Sequence, residues 1–180
     1  ITKGEQDMKT GRISCAAVAM LLSVAVASCT QTEGSGGSVG FQSQYDTARG
    51  ALEAGDYRKA TRLYKQLVPK AGPLGVRVRL EYSHAVLRAG DYAGAAEMSD
   101  SVASDAEGGA RAAALAVRGT AEHEMALQYL GTGDAEAGAA HLAKARAALR
   151  EVLDAHPDMD PLGSLAGRVA AIDARLAAME

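Results

Sequence analysis

From residue 44 onward, apolar residues recur at alternating steps of three and four, the spacing that lays one stripe along an α-helix. Breaks in that rhythm fall at Gly, Asp and Pro. The pattern predicts helices over 44–54, 57–68, 76–89, 92–105, 109–131, 134–155 and 161–179. This part of the chain is rich in Ala and Leu and has almost no β-branched runs, which favours helix over strand. The first six segments are separated by short breaks and read as three antiparallel hairpins. The seventh carries Leu162, Leu165, Val169, Ile172, Leu176 and Met179 on one stripe, with Asp160 as its expected cap and Pro161 in its first turn. A helix with one apolar stripe suits the end of a stack, where it covers the last open face. The fold class is therefore all-α: helical hairpins stacked as a short solenoid with a C-terminal capping helix, over residues 44–180.

The breaks within the hairpins share a spelling. Ala54-Gly55-Asp56-Tyr57 and Ala89-Gly90-Asp91-Tyr92 are identical, and Gly133-Asp134 keeps the central pair. Turn chemistry accounts for each letter. Glycine ends a helix in the left-handed conformation that a side chain disfavours, and the following Asp caps the next helix by accepting from its free amides. Tyr57 and Tyr92 are placed to wedge between helices with their hydroxyls on polar partners. No His, Ser or Lys recurs at a fixed offset from these aspartates, so the repeat is read as geometry and not as a repeated catalytic centre.

The front of the chain has a different composition. Met8, read as the start of translation, opens a segment with Lys9 and Arg12, and the apolar run Ile13–Ser28 follows. That run falls short of the roughly 20 residues of a comfortable membrane span. It reads as a secretory signal over residues 1–28. Val26-Ala27-Ser28-Cys29 resembles the lipobox of bacterial lipoproteins: a branched residue, two small ones, then cysteine. The resemblance implies cleavage before Cys29 and acylation of its thiol and new amino terminus, an arrangement that holds a membrane stably because more than one acyl chain inserts. Thr30 stands where an Asp would be the usual signal for inner-membrane retention, so the resemblance implies an outer-membrane, periplasm-facing location. Residues 29–43 are Gly- and Ser-rich and read as a flexible tether spanning about 20 Å.

The interval from Gly55 to Gly90 is 35 residues, close to the 34-residue period of the tetratricopeptide repeat, and here the chain resembles that family. The first repeat has Leu52, Gly55-Asp56-Tyr57, Ala60, Tyr64 and Pro69. The second has Leu87, Gly90-Asp91-Tyr92 and Ala95, with Ser99 in place of an aromatic. Where the first helix of each pair crosses its partner stand the small residues Ala48, Ser83 and Ala126. The chain departs from the family pattern at the early Trp, where it has Gln44, Arg79 and Glu122, and its third turn comes 43 residues after the second. The resemblance implies a protein-binding groove lined by the first helices. Carried over by position, it would comprise Tyr45, Arg49, Leu52 and Glu53; Arg77, Leu80, His84, Leu87 and Arg88; and His123, Leu127 and Leu130. Arginines on such a face can hold a carboxylate, while the leucines could equally be stack packing.

Composition narrows the remaining chemistry. The chain carries 19 Lys and Arg against 22 Asp and Glu, net −3. Loss of residues 1–28 removes three cations and two anions, leaving −4 and no basic face for nucleic acid. Cys15 leaves with the signal and Cys29 takes lipid, so no thiol is left for a disulfide, metal or nucleophile. His84, His123, His141 and His156 do not fall one helical turn apart as a two-His zinc helix requires. No cofactor is expected. The expected partner is a protein or peptide, and the membrane is reached through the lipid. Lipoproteins of this kind serve as pilotins or accessory factors in assembling envelope machines. The alternatives are an envelope enzyme of cell-wall turnover, for which no acid–base pair is identifiable, and a spacer without a specific groove ligand.

Overall fold

The computed structural model describes residues 36–180. The secretory segment 1–28 and Cys29 lie outside the described residues. Seven α-helices follow in order: α1 Gly36–Glu53, α2 Tyr57–Leu67, α3 Gly75–Arg88, α4 Tyr92–Asp105, α5 Gly108–Gly131, α6 Ala135–Ala155 and α7 Ser164–Ala177. No strand occurs among the described residues. Each helix packs against its neighbour in sequence, and α3 also packs against α5.

The three Gly-Asp turns are the same structure. Gly55, Gly90 and Gly133 have φ of 79°, 86° and 85°. At each, two back-directed amide bonds close the preceding helix: Gly55 N–H donates to Leu52 O and Asp56 N–H to Ala51 O, with counterparts at Gly90/Asp91 and Gly133/Asp134. This is the Schellman arrangement that satisfies the last carbonyls of a helix. The carboxylates of Asp56, Asp91 and Asp134 then accept from the amides of Lys59, Gly94 and Ala137 at 3.0–3.1 Å. Two glycines let α5 and α6 approach closely. A Cβ on Gly119 would stand 2.6 Å from Leu149 Cγ, and one on Gly138 the same distance from Leu130 Cγ.

Small residues at the crossings set the spacing of the stack. Ala48, Ser83 and Ala126 are fully buried, and Ser83 satisfies its hydroxyl by donating to Leu80 O at 2.8 Å. The core comprises four clusters. The first joins α1, α2 and α3 through Tyr45, Ala48, Tyr64, Leu67 and Val78. Val86, Ala95, Ala96 and Ala121 join α3, α4 and α5. Val102, Leu115, Ala148 and Val152 join α4, α5 and α6, and Leu142, Leu149, Val169 and Ile172 seat α7 on α5 and α6. Ser99, where the resemblance calls for an aromatic, is buried and donates to Ala95 O at 2.6 Å.

Two boundaries differ from the sequence reading. α1 begins at Gly36, so residues 36–43, assigned to the tether and excluded from the helix begun at 44, are helical. Phe41 gives the reason. It packs on the first core cluster and stacks on Tyr45 one turn later, with ring centroids 6.3 Å apart. α7 begins at Ser164 rather than 161, yet Asp160 still caps it from outside, accepting from the amides of Leu165 and Ala166 at 3.0 and 2.9 Å and from Ser164 Oγ. Because Leu162 precedes the helix, it leaves the apolar stripe and stands 93% exposed.

Candidate functional site

The residues singled out for a groove divide into three groups. Leu52, Leu80 and Leu87 are packing residues, half-buried against the first core cluster, the α4–α5–α6 cluster and the α3–α4–α5 cluster. Leu130 packs in the α5–α6–α7 cluster, while Leu127 is half-buried on α5 outside these clusters. Tyr45 is likewise buried, at 8% exposure, and its hydroxyl donates to Glu81 Oε1 at 2.6 Å.

The cations of the candidate face are engaged within the chain. Arg49 Nε pairs with Glu53 at 2.8 Å, one turn on. Arg77 Nε donates to Glu81 at 3.1 Å, and its guanidinium lies 5.6 Å from the centre of the Tyr45 ring. Arg88 donates to the Tyr57 hydroxyl and lies over that ring at 4.8 Å. Tyr57, expected to wedge between the paired helices of its own hairpin, instead makes its polar contact with Arg88 of the next hairpin. These side chains remain substantially in water. Arg77 keeps 57% of its side-chain exposure, and exposed pairs of this kind hold the ions only weakly.

Glu81 is the centre of this region, and the sequence reading passed over it. Its carboxylate receives the hydroxyls of Tyr45 and Tyr64, at 2.6 and 2.8 Å, and the Arg77 guanidinium. Burial raises its pKa, but the hydrogen bonds from Tyr45, Tyr64 and Arg77 outweigh burial and hold it below the usual carboxylate range. Burial and the same bonds push both tyrosines up. One signal was available in sequence: Glu81 follows Arg77 by four residues on one helix face. Its two tyrosine partners, 36 and 17 residues away, had no local signature.

The histidines do not converge. His84 is exposed on α3. The protein packed about it, and then the Arg88 charge, hold its pKa below the ordinary value against the opposing pull of Glu81. His123 faces α7, where Arg168 donates to its Nδ1 at 2.8 Å and also pairs with Glu124 at 3.2 Å. The terminal helix thus occupies that end of the candidate face. Burial, followed by Arg168, lowers the His123 pKa. His141 on α6 bonds the buried Glu122 of α5 at 2.6 Å and stacks on Tyr129 at 5.1 Å. Glu122, which stands where the tetratricopeptide pattern places an early Trp, is buried between α5 and α6 with His141 as its hydrogen-bond partner. His156 lies at the far end of α6, beside Arg111 and Glu151.

Among the described residues no group of three or more His, Cys, Asp and Glu side chains is arranged to hold a metal ion. No helix among them is long and apolar enough to cross a membrane. What the first-helix face offers is exposed Arg49, Arg77, His84 and Arg88 around the half-buried Glu81. Comparison with protein-family models, curated proteins and solved structures returned no match to the chain.

Proposed function

We propose that the protein is a lipid-anchored envelope component whose helical domain binds another protein through the outer face of α1 and α3. The observation that carries this reading is the threefold recurrence of one Schellman–Asp turn between antiparallel helices, with α3 packed on α5 and α1 joined to α3 through Tyr45, Glu81 and Arg77. Such a stack presents a ladder of similar helix surfaces, the arrangement of a tetratricopeptide-type binding scaffold. The lipobox-like Val26–Cys29 supplies the anchor in this reading, with the outer membrane as its location and assembly of an envelope machine as its setting.

Recognition in this scheme uses exchange of partners. Arg77 and Arg88 sit in weak, solvated contacts with Glu81 and Tyr57, and an incoming carboxylate can take their free N–H groups without first breaking a buried pair. The leucines beneath keep the helices in register and contribute little exposed surface. The test is capture from envelope extracts by the full chain and by an Arg77→Glu/Arg88→Glu variant. The variant should keep the helical circular-dichroism spectrum and lose the partner, and added salt should weaken the wild-type complex in the same direction. Equal recovery of the same partner by both chains would exclude this face. The anchor is tested separately by the mass of the mature amino terminus, expected to begin at an acylated Cys29.

A further inference from the structure

The antiparallel order of the helices sorts the connections into two ends. The three Gly-Asp turns lie at one end. The connections after α2, α4 and α6 lie at the other, which is also where α1 begins at Gly36. Side-chain bonds fix this assignment. Lys70 reaches Gln44 in the first half of α1, Arg79 near the start of α3 pairs with Asp105 at the end of α4, and Arg111 near the start of α5 pairs with Glu151 near the end of α6.

Three of the five large exposed apolar side chains among the described residues lie at this second end, including both exposed leucines. Val39 is 67% exposed, Leu74 46% and Leu162 93%, whereas only Tyr129 and Met179 are comparable elsewhere among the described residues. Single exposed leucines are ordinary. These two are not independent accidents. Pro69-Lys70-Ala71-Gly72-Pro73-Leu74-Gly75 and Pro157-Asp158-Met159-Asp160-Pro161-Leu162-Gly163 share the spelling Pro-x-x-x-Pro-Leu-Gly. In both, a 3-10 turn and two prolines stiffen the connection that displays the leucine. A stiff loop loses little conformational freedom when its tip is buried.

We infer that this end of the stack is a membrane-docking face, with Leu74 and Leu162 entering the boundary between headgroups and acyl chains of the bilayer to which Cys29 is attached. The inference rests on the lipid-anchor reading for its geometry. Only seven residue steps separate Cys29 from Gly36, at most about 25 Å when fully extended. The end that carries the leucines is therefore the one held at the lipid surface, and the short tether gives it a high effective concentration there, so that few apolar contacts suffice. Charge defines the kind of surface. The three connections carry Lys70 against Glu107, Asp158 and Asp160, so docking is apolar and favours zwitterionic over anionic headgroups. Docking would point the Gly-Asp turns away from the membrane and stand the α1–α3 face upright, open to a partner in the periplasm.

The test uses the chain as processed and isolated from the membrane fraction, in phosphatidylethanolamine/phosphatidylcholine vesicles containing nitroxide-labelled lipid, with a fluorophore on Leu162→Cys, Leu74→Cys or Thr132→Cys. Thr132 is exposed beside the third Gly-Asp turn. Quenching is expected at 162 and 74 and not at 132, and should decline as anionic lipid is added. A fourth probe, on Lys70→Cys, should lose its quenching when both leucines are changed to Ser, with the docked-to-free ratio falling about tenfold or more. Co-sedimentation with vesicles but equal quenching at all sites retains the anchor and overturns the docking face. Quenching at 74 and 162 in a chain whose Cys29 carries no lipid supports the docking face and removes the anchor. Neither co-sedimentation nor quenching overturns both.

Discussion

Gly90 and Asp91 show how little of this sequence's repetition is chemistry. Gly90 adopts φ of 86°, a region that costs a β-branched residue steric strain, and Asp91 holds the Gly94 amide at 3.0 Å. Gly90→Val should lower the melting temperature markedly, and Asp91→Ala should cost about 1 kcal/mol. Thermal melts of both measure this, and variants as stable as the parent but unable to bind a partner would make the turn a binding element instead. Asp56 and Asp134 hold the same geometry, so their Ala variants should behave alike. All of this was legible from Gly-Asp between two helical stripes, because a Schellman turn and a cap involve only residues within one turn of each other. Glu81 was not legible. Its role depends on two tyrosines brought in from α1 and α2, and only packing reveals that Tyr45 and Arg77, expected to face a ligand, face a carboxylate of their own chain.

At the scale of elements, the attachment of α7 is expected to respond to pH. Arg168 donates to the unprotonated Nδ1 of His123, and a proton on that nitrogen would remove the acceptor and set two cations together. The folded-state pKa of His123 is lowered, so its contribution is complete above the unfolded value of about 6.5 and is lost as pH falls through the folded value. Glu124 opposes the effect from the same helix, and the Arg175 charge adds to it. Amide exchange within 164–177, corrected for its intrinsic pH dependence, should therefore quicken between pH 7 and pH 5. His123→Gln keeps an acceptor for Arg168 and should flatten the response. An unchanged response in that variant would locate the titrating group elsewhere. The stripe on α7 was readable in sequence as a cap, but the burial of His123 beneath it was not, since residues 45 positions apart carry no shared pattern.

At the largest scale, residues 36–180 behave as a short one-dimensional stack, in which each hairpin is covered by the next. α7 closes one end by covering Leu142 and Leu149 through Val169 and Ile172. Deleting residues 162–180 should uncover that surface, lower the melting temperature and promote self-association, which sedimentation velocity would register as a concentration-dependent shift away from monomer. A truncated chain that stays monomeric with an unchanged melt would show that α7 is an appendage to a stack already complete at α6. The exposed loop leucines do not share this role, because neither Leu74 nor Leu162 belongs to the cluster that α7 covers.

The sequence by itself determined the all-helical class, the helix boundaries within a few residues except the start of α1, and the three turns. Each of these follows from periodicity or from contacts within a few residues of the chain. The added turns of α1 depended on Phe41 finding Tyr45 and the first core cluster, so composition alone read residues 36–43 as tether. Tertiary structure also decided which members of the α1, α3 and α5 stripes pack and which meet water. A helical stripe at a hairpin interface is wider than any one neighbour covers, and the assignment of Leu52, Leu80 and Leu87 to packing was made by the helices that arrived beside them. The two Pro-Leu-Gly connections were plain in the sequence, but that they lie at the end from which α1 starts is a consequence of antiparallel topology, fixed only when the hairpins close.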